Sequence, residues 1–231
     1  MNSILFKKKL KAFSLHLLTS LIIFGLIFIW IQQYLYPSIY FTMAGGIQGV
    51  LLVFFVDVFL GPLLTFMVYN PLKQKKEIIT DFSVIIIVQL AALTYGLNIV
   101  YQEHPKLVVL YQYGNAILIK QSEYASSDEF KNIPLEEMPK IAGIPSVSYL
   151  VHNGKPILGN PLQNPKLLNS ADSETRKHIE NSQKNQLFLQ ELEAKHGKGI
   201  TIALMGKYTG AYVLLSKDFK LISTFGEQPL N

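Results

Sequence analysis

Residues 47–69 read IQGVLLVFFVDVFLGPLLTFMVY. As a helix this stretch reaches across a hydrocarbon core of about 30 Å. Two features break its apolar character, Asp57 near the middle and the Gly61-Pro62 pair. A charge at mid-bilayer costs at least about 2.5–3.5 kcal/mol, so such a residue faces other helices and is a functional candidate by default. Pro62 has no N–H and displaces the carbonyl of Val58 from its helical bond. In lipid a freed backbone group must find a protein partner. The stretch therefore reads as one membrane helix among several.

The flanks supply the others. Residues 12–31, AFSLHLLTSLIIFGLIFIWI, contain no Asp, Glu, Lys or Arg, and Trp30 and Tyr34 lie at the far end, where amphipathic rings favour the interface. The lysines at 7–11 would suit a cleaved signal, but a signal core runs about 7–15 residues to a small-residue site. This run is longer and ends in WIQQYLY, so it is expected to stay as an anchor. Residues 82–100, FSVIIIVQLAALTYGLNIV, again carry no full charge. The reading is an α-helical membrane domain over 1–103, with three transmembrane helices at about 12–31, 47–69 and 82–100.

Lysine sets the orientation. Before residue 101 the charged residues are seven lysines, at 7, 8, 9, 11, 73, 75 and 76, against Asp57, Glu77 and Asp81, so this part holds +4 of the net +5. Cytoplasmic loops carry the excess of Lys and Arg, and loop 32–46 has no charge at all. The N-terminus and the lysine loop are thus expected inside, and everything after Val100 outside. In a bacterium that means an inner-membrane protein with a periplasmic domain. The basic clusters flank apolar segments, so they speak for topology and not for nucleic acid.

Residues 104–231 read as a small α+β domain with an antiparallel sheet and one long helix. Leu107–Tyr113 and Ala116–Gln121 are β-rich runs joined at Gly114-Asn115. Ser146–Val151 precedes Asn153-Gly154, a type I′ turn signal. Residues 155–169 read as loop and 173–196 as a single surface helix ended by Gly197. Residues 200–205, 211–216 and 221–225 read as three short strands.

The chain has no cysteine, which excludes disulfides, zinc-thiolate sites and a cysteine nucleophile. No Walker loop, GxSxG, GxGxxG or HExxH spacing occurs. No catalytic residue, cofactor or metal is expected, and the lipid bilayer is the one environment the composition demands. Candidate site residues are therefore intramembrane. At about 1.5 Å per residue, Asp57 lies about 18 Å above Tyr69, level with Thr94 and Tyr95. Gly61, Pro62, Gln89 and Ser20 share a layer below it, and His16 and Thr65 a lower one. These groups read either as a partner-binding site or as interhelical glue, at about 1 kcal/mol each or less. The competing reading of Asp57 is a proton relay in a membrane enzyme or transporter, which needs a second titratable group at its depth.

At this point a resemblance enters. DVFLGPLLTFMVYNP, residues 57–71, followed by a lysine-rich turn, resembles the signature of the TfpX/TfpZ family of type IV pilin accessory proteins, which includes the fimbrial assembly protein FimB. KAFSLHLLTS, residues 11–20, resembles that family's opening segment with its His, and QLAALTYGL, residues 89–97, its third segment. The resemblance spans about residues 7 to 110. It implies an inner-membrane protein that assists or modulates type IV pilin assembly, with pilin as partner. Read physically beside it, Asp57, Gly61, Pro62, His16, Gln89 and Tyr95 are the candidates that bind a partner or hold the helices together. Three helices are too few to enclose a transport path unless the protein oligomerises.

Overall fold

The computed structural model describes residues 3–226; residues 227–231, which the sequence reading included in the second domain, lie outside the described residues. Its contacts divide the chain into two units, one of residues 1–35 and 46–101, the other of residues 36–45 and 102–231.

The first unit contains three helices long and apolar enough to cross a membrane. Helix α1, Ser3–Trp30, continues through a π-helical turn, Ile31–Leu35. Helix α2, Gly46–Val68, is α-helical at both ends and π-helical over Phe55–Leu60. Helix α3 is Lys75–Glu103. Helices α1 and α2 are joined along a seam by edge-on ring pairs, Phe13–Phe66 at 6.2 Å and Phe24–Phe54 at 5.4 Å. Helices α2 and α3 approach through glycine. A Cβ built on Gly49 would lie 2.9 Å from the Val100 side chain, and one on Gly96 2.9 Å from Leu52. Small residues let membrane helices approach closely where no hydrophobic effect drives them together.

The second unit is built on a sheet in the order β3-β4-β1-β2-β6-β7-β8, with β5 also on β4. The strands are β1 Pro105–Tyr111, β2 Asn115–Lys120, β3 Lys140–Ile141, β4 Ile144–His152, β5 Lys155–Gly159, β6 Ile200–Met205, β7 Gly210–Leu215 and β8 Leu221–Phe225. The last three fall where the alternation placed them. The β4–β5 hairpin turns on Asn153 and Gly154 at φ 51° and 75°, the positive pair that a type I′ turn requires.

The expected antiparallel sheet is in fact mixed. β1 pairs with β4, and β2 with β6, in parallel. Parallel neighbours need long crossovers; here residues 121–143 connect β2 to β4, beyond β1, and two helices precede β6. The single long helix is also divided, into α4, Pro165–Glu180, and α5, Gln183–His196. Ser182 restarts the chain as an N-cap, its hydroxyl accepting from the Asn185 N–H at 3.4 Å. Part of the expected loop over 155–169 is strand β5, and the first turn of α4 starts at an Asn164 cap with Pro165 behind it, the preferred arrangement for a helix N-terminus.

One sheet face packs Ala203, Tyr212, Leu214 and Phe225 against Ile179 and Leu189 of α4 and α5. On the same face Leu107, Val109 and Val147 are covered by the turns around Tyr124 and Phe130. Val108, Leu110, Ile202, Leu204, Val213 and Leu215 alternate to the other face and are equally buried, so both faces are covered. Arg176 ties α4, α5 and β6 together. Its guanidinium donates to Asp172 at 2.8 and 2.9 Å, to Glu193 at 2.7 and 3.2 Å and to the Gly199 carbonyl at 2.9 Å. Asp172 in turn accepts from the Thr201 N–H and hydroxyl, both at 2.7 Å.

Residues 36–45 belong to this second unit. Tyr36 and Tyr40 are fully buried there. The Tyr40 hydroxyl donates to the Ile141 carbonyl at 2.7 Å, and the Met43 carbonyl accepts from the Tyr208 N–H at 3.0 Å. Burial pushes the Tyr40 phenol well above its ordinary pKa, so it stays a donor.

Candidate intramembrane site

The site starts from the irregular turn in α2. Proline at position 62 cannot donate, and its ring excludes the carbonyl four residues back. The chain answers by widening the preceding turn, Phe55–Leu60, to the i→i+5 pattern. Single π-helical turns of this kind are frequent at functional sites. Gln89 and Ser20, which share the layer of Pro62 by helical rise, are the nearest candidates to pair with the freed Val58 carbonyl. Among the described residues no side-chain bond to it occurs, and the widened turn absorbs the defect within α2 itself.

That turn carries Asp57, which is 6% exposed. It faces the helical unit rather than lipid, as a charge in hydrocarbon must. Among the described residues no side chain donates a hydrogen bond to its carboxylate. Asp57 forms part of the lining of a groove of about 1000 Å³ within the helical unit. One wall is α1, with Leu15, His16, Thr19, Ser20 and Ile23; the other is α3, with Phe82, Ile86, Gln89, Leu90 and Leu93. The groove is thus mostly apolar, with a few polar groups set into it, the usual character of a binding cleft.

Below Asp57 the polar groups meet in the layers that helical rise suggested. The His16 Nδ1 lies 2.6 Å from the Thr65 Oγ1, and Thr65 is fully buried. The Gln89 amide occupies the space beside Gly61, where any side-chain Cβ would collide with it. Glycine here lets α3 bring a polar group against α2. Pro62 is buried beside it. Ser20 is buried as well and lines the groove.

Tyr95 and Thr94 stand apart. Tyr95 is 69% exposed and does not line the groove. The Thr94 hydroxyl donates to the Leu90 carbonyl at 2.7 Å within its own helix. Equal depth therefore does not mean contact: these two lie on a different face of α3 from Gln89, because residues five or six apart on a helix point in different directions. The groove's lysine-bearing end, with Lys8, Lys11, Lys73 and Lys75, was not anticipated as part of the site. The lysines had been read for orientation alone.

A smaller hollow of about 420 Å³ lies in the second unit, beside Glu103, Lys120 and Lys207. Its charges satisfy each other: Glu103 accepts from Lys120 at 2.7 Å and from Lys207 at 2.9 Å, and this bond holds Lys207 above its ordinary pKa. Among the described residues no group of His, Cys, Asp and Glu could hold a metal ion.

Comparison with known proteins gives three relatives, all from Dichelobacter nodosus. The chain is 43% identical over 98 residues to the fimbrial assembly protein of serogroup I, and 42% identical over 98 residues to those of serogroups C1 and C2 and of serogroup E1. Each match covers 42% of this chain, 71% of the C1 and C2 protein, and 36% of the other two. No family model and no solved structure matches.

Proposed function

The chain belongs to the family of fimbrial assembly proteins, and from this we propose that it is an inner-membrane accessory protein that assists or modulates type IV pilin assembly by binding pilin. The more specific kinship, to the TfpX/TfpZ accessory proteins, rests on residues 57–71 with the two flanking stretches. The lysine clusters support an orientation with both cytoplasmic and the second unit in the periplasm.

The observation that carries the reading is the groove with Asp57 in its lining. An immature pilin, as the family resemblance implies, spans the membrane with one apolar helix and holds a globular head outside. Such a helix fits a groove whose walls are two other helices and whose base is a third. Packing of its side chains against Ile23, Leu90 and Leu93 supplies van der Waals contact, which drives helix association in lipid. Asp57, which lines the groove, then offers a hydrogen-bonding group that a helix with a matching polar residue satisfies, and this gives selectivity.

The reading is tested by a photo-crosslinking residue at Ile23 or Leu93, which line the groove, and at Ile87, which does not. Cells that express the cognate pilin should give a pilin adduct from the groove positions and little from Ile87. Adducts equally strong from Ile87, or none from either groove position, would sink it.

A further inference from the structure

One end of the groove is basic in a way that orientation alone does not explain. Lys8 and Lys11 of α1 and Lys73 and Lys75 around the start of α3 line it, whereas Lys7, Lys9 and Lys76, equally useful as topology signals, do not. Two of the lysines near this end are already engaged. Lys73 is paired with Asp81 at 2.6 Å. Lys9 turns to the other side, 3.3 Å from the Met67 carbonyl and 6.0 Å from the centre of the Phe66 ring. Lys8, Lys11 and Lys75 have no carboxylate within ion-pair distance among the described residues. Lys8, Lys11 and Lys75 thus leave this end of the groove with a net positive charge, which an anion there would offset.

Beyond this opening the groove walls are apolar, with Leu15, Ile78, Phe82 and Ile86. Lys11 and Ser20 are nine positions apart on α1, a rise of about 13.5 Å, close to the roughly 15 Å half-thickness of a hydrocarbon core. A basic opening over an apolar trough of one leaflet's depth matches a molecule with a phosphate at one end and hydrocarbon at the other. Basic clefts between membrane helices on the cytoplasmic side recognise anionic headgroups.

We propose that this half of the groove binds one anionic glycerophospholipid of the cytoplasmic leaflet. Its phosphate sits among Lys8, Lys11 and Lys75, and an acyl chain lies along the apolar walls toward Asp57. The inference rests on the lysines and the walls, not on pilin capture, and stands or falls separately from it.

The test is native mass spectrometry of the full chain, purified in mild detergent and offered phosphatidylglycerol or phosphatidylethanolamine. One phosphatidylglycerol should be retained in preference to phosphatidylethanolamine. Replacing Lys11 and Lys75 together by Gln should weaken that retention roughly tenfold or more. Replacing Lys7 and Lys76 by Gln removes the same charge from the same side and should leave it nearly unchanged, which separates site loss from any insertion defect. Ile86→Trp, which fills the trough and leaves every lysine in place, should also expel the lipid. Equal loss from both lysine pairs would reduce the effect to diffuse attraction. Equal retention of the two lipids, unchanged retention in Ile86→Trp, or displacement by millimolar inorganic phosphate would each overturn the proposal.

Discussion

The His16 imidazole meets the Thr65 hydroxyl at 2.6 Å across α1 and α2. In lipid no water competes for such a bond, yet comparable bonds average only about 0.6 kcal/mol in double-mutant cycles, because unpaired helices also find partners. Thr65→Val keeps the shape and removes the hydroxyl. It should destabilise the full chain by roughly 0.5–2 kcal/mol in reversible unfolding from detergent micelles. Combined with His16→Leu, the loss should be less than additive. Strict additivity would show that the two groups do not interact.

The helix pairing makes a second expectation, favoured by the absence of native cysteine. A Cβ on Gly49 would stand 3.7 Å from the Val100 Cβ, within the usual disulfide range of about 3.5–4.5 Å. A Gly49→Cys, Val100→Cys double variant should form an intramolecular bond under mild oxidation with no background from other thiols. Gly49→Cys with Val88→Cys, whose side chain is exposed on α3, should not. The reverse pattern would mean that α2 and α3 meet on other faces.

These two relationships differ in how far they could be read from the chain. Helical rise and the lysine flanks located the His16–Thr65 and Gly61–Gln89 layers, because each membrane helix has a fixed length per residue and known ends. The same arithmetic put Tyr95 beside Asp57, and here it failed, because rise gives depth and not rotation. In the second unit, hairpins with local turn chemistry, such as Asn153-Gly154, were legible. The parallel pairings β1–β4 and β2–β6 join strands distant in the chain and leave no local signal. The break at Asn181-Ser182 did leave one, a capping residue followed by a fresh helix, which the thin apolar stripe running through both helices obscured. Nothing in residues 36–45 marks them as part of the second unit.

That last segment has a direct test. Tyr40→Phe removes only the hydroxyl that reaches the Ile141 carbonyl. A lost buried hydrogen bond costs about 1–3 kcal/mol when it leaves an acceptor unpaired. Amide hydrogen exchange should therefore accelerate at residues 40–44 and 139–146, with the α1–α2 seam unchanged. Unaltered exchange in both segments would show that the loop adds nothing to the second unit's stability.

The central claim is that Asp57 faces a partner rather than stabilising its own bundle. The decisive measurement is pilin co-purification and pilus number for Asp57→Asn, each normalised to the protein's level by quantitative immunoblot. Asn keeps the shape and removes the charge, and among the described residues no side chain donates to this carboxylate, so the level should stay near that of the unaltered chain. Pilin capture and pilus number should nevertheless change by several-fold. A normal level with normal capture and normal piliation would contradict the account, and a fall in piliation that merely tracks a fall in protein level would assign Asp57 to the bundle alone.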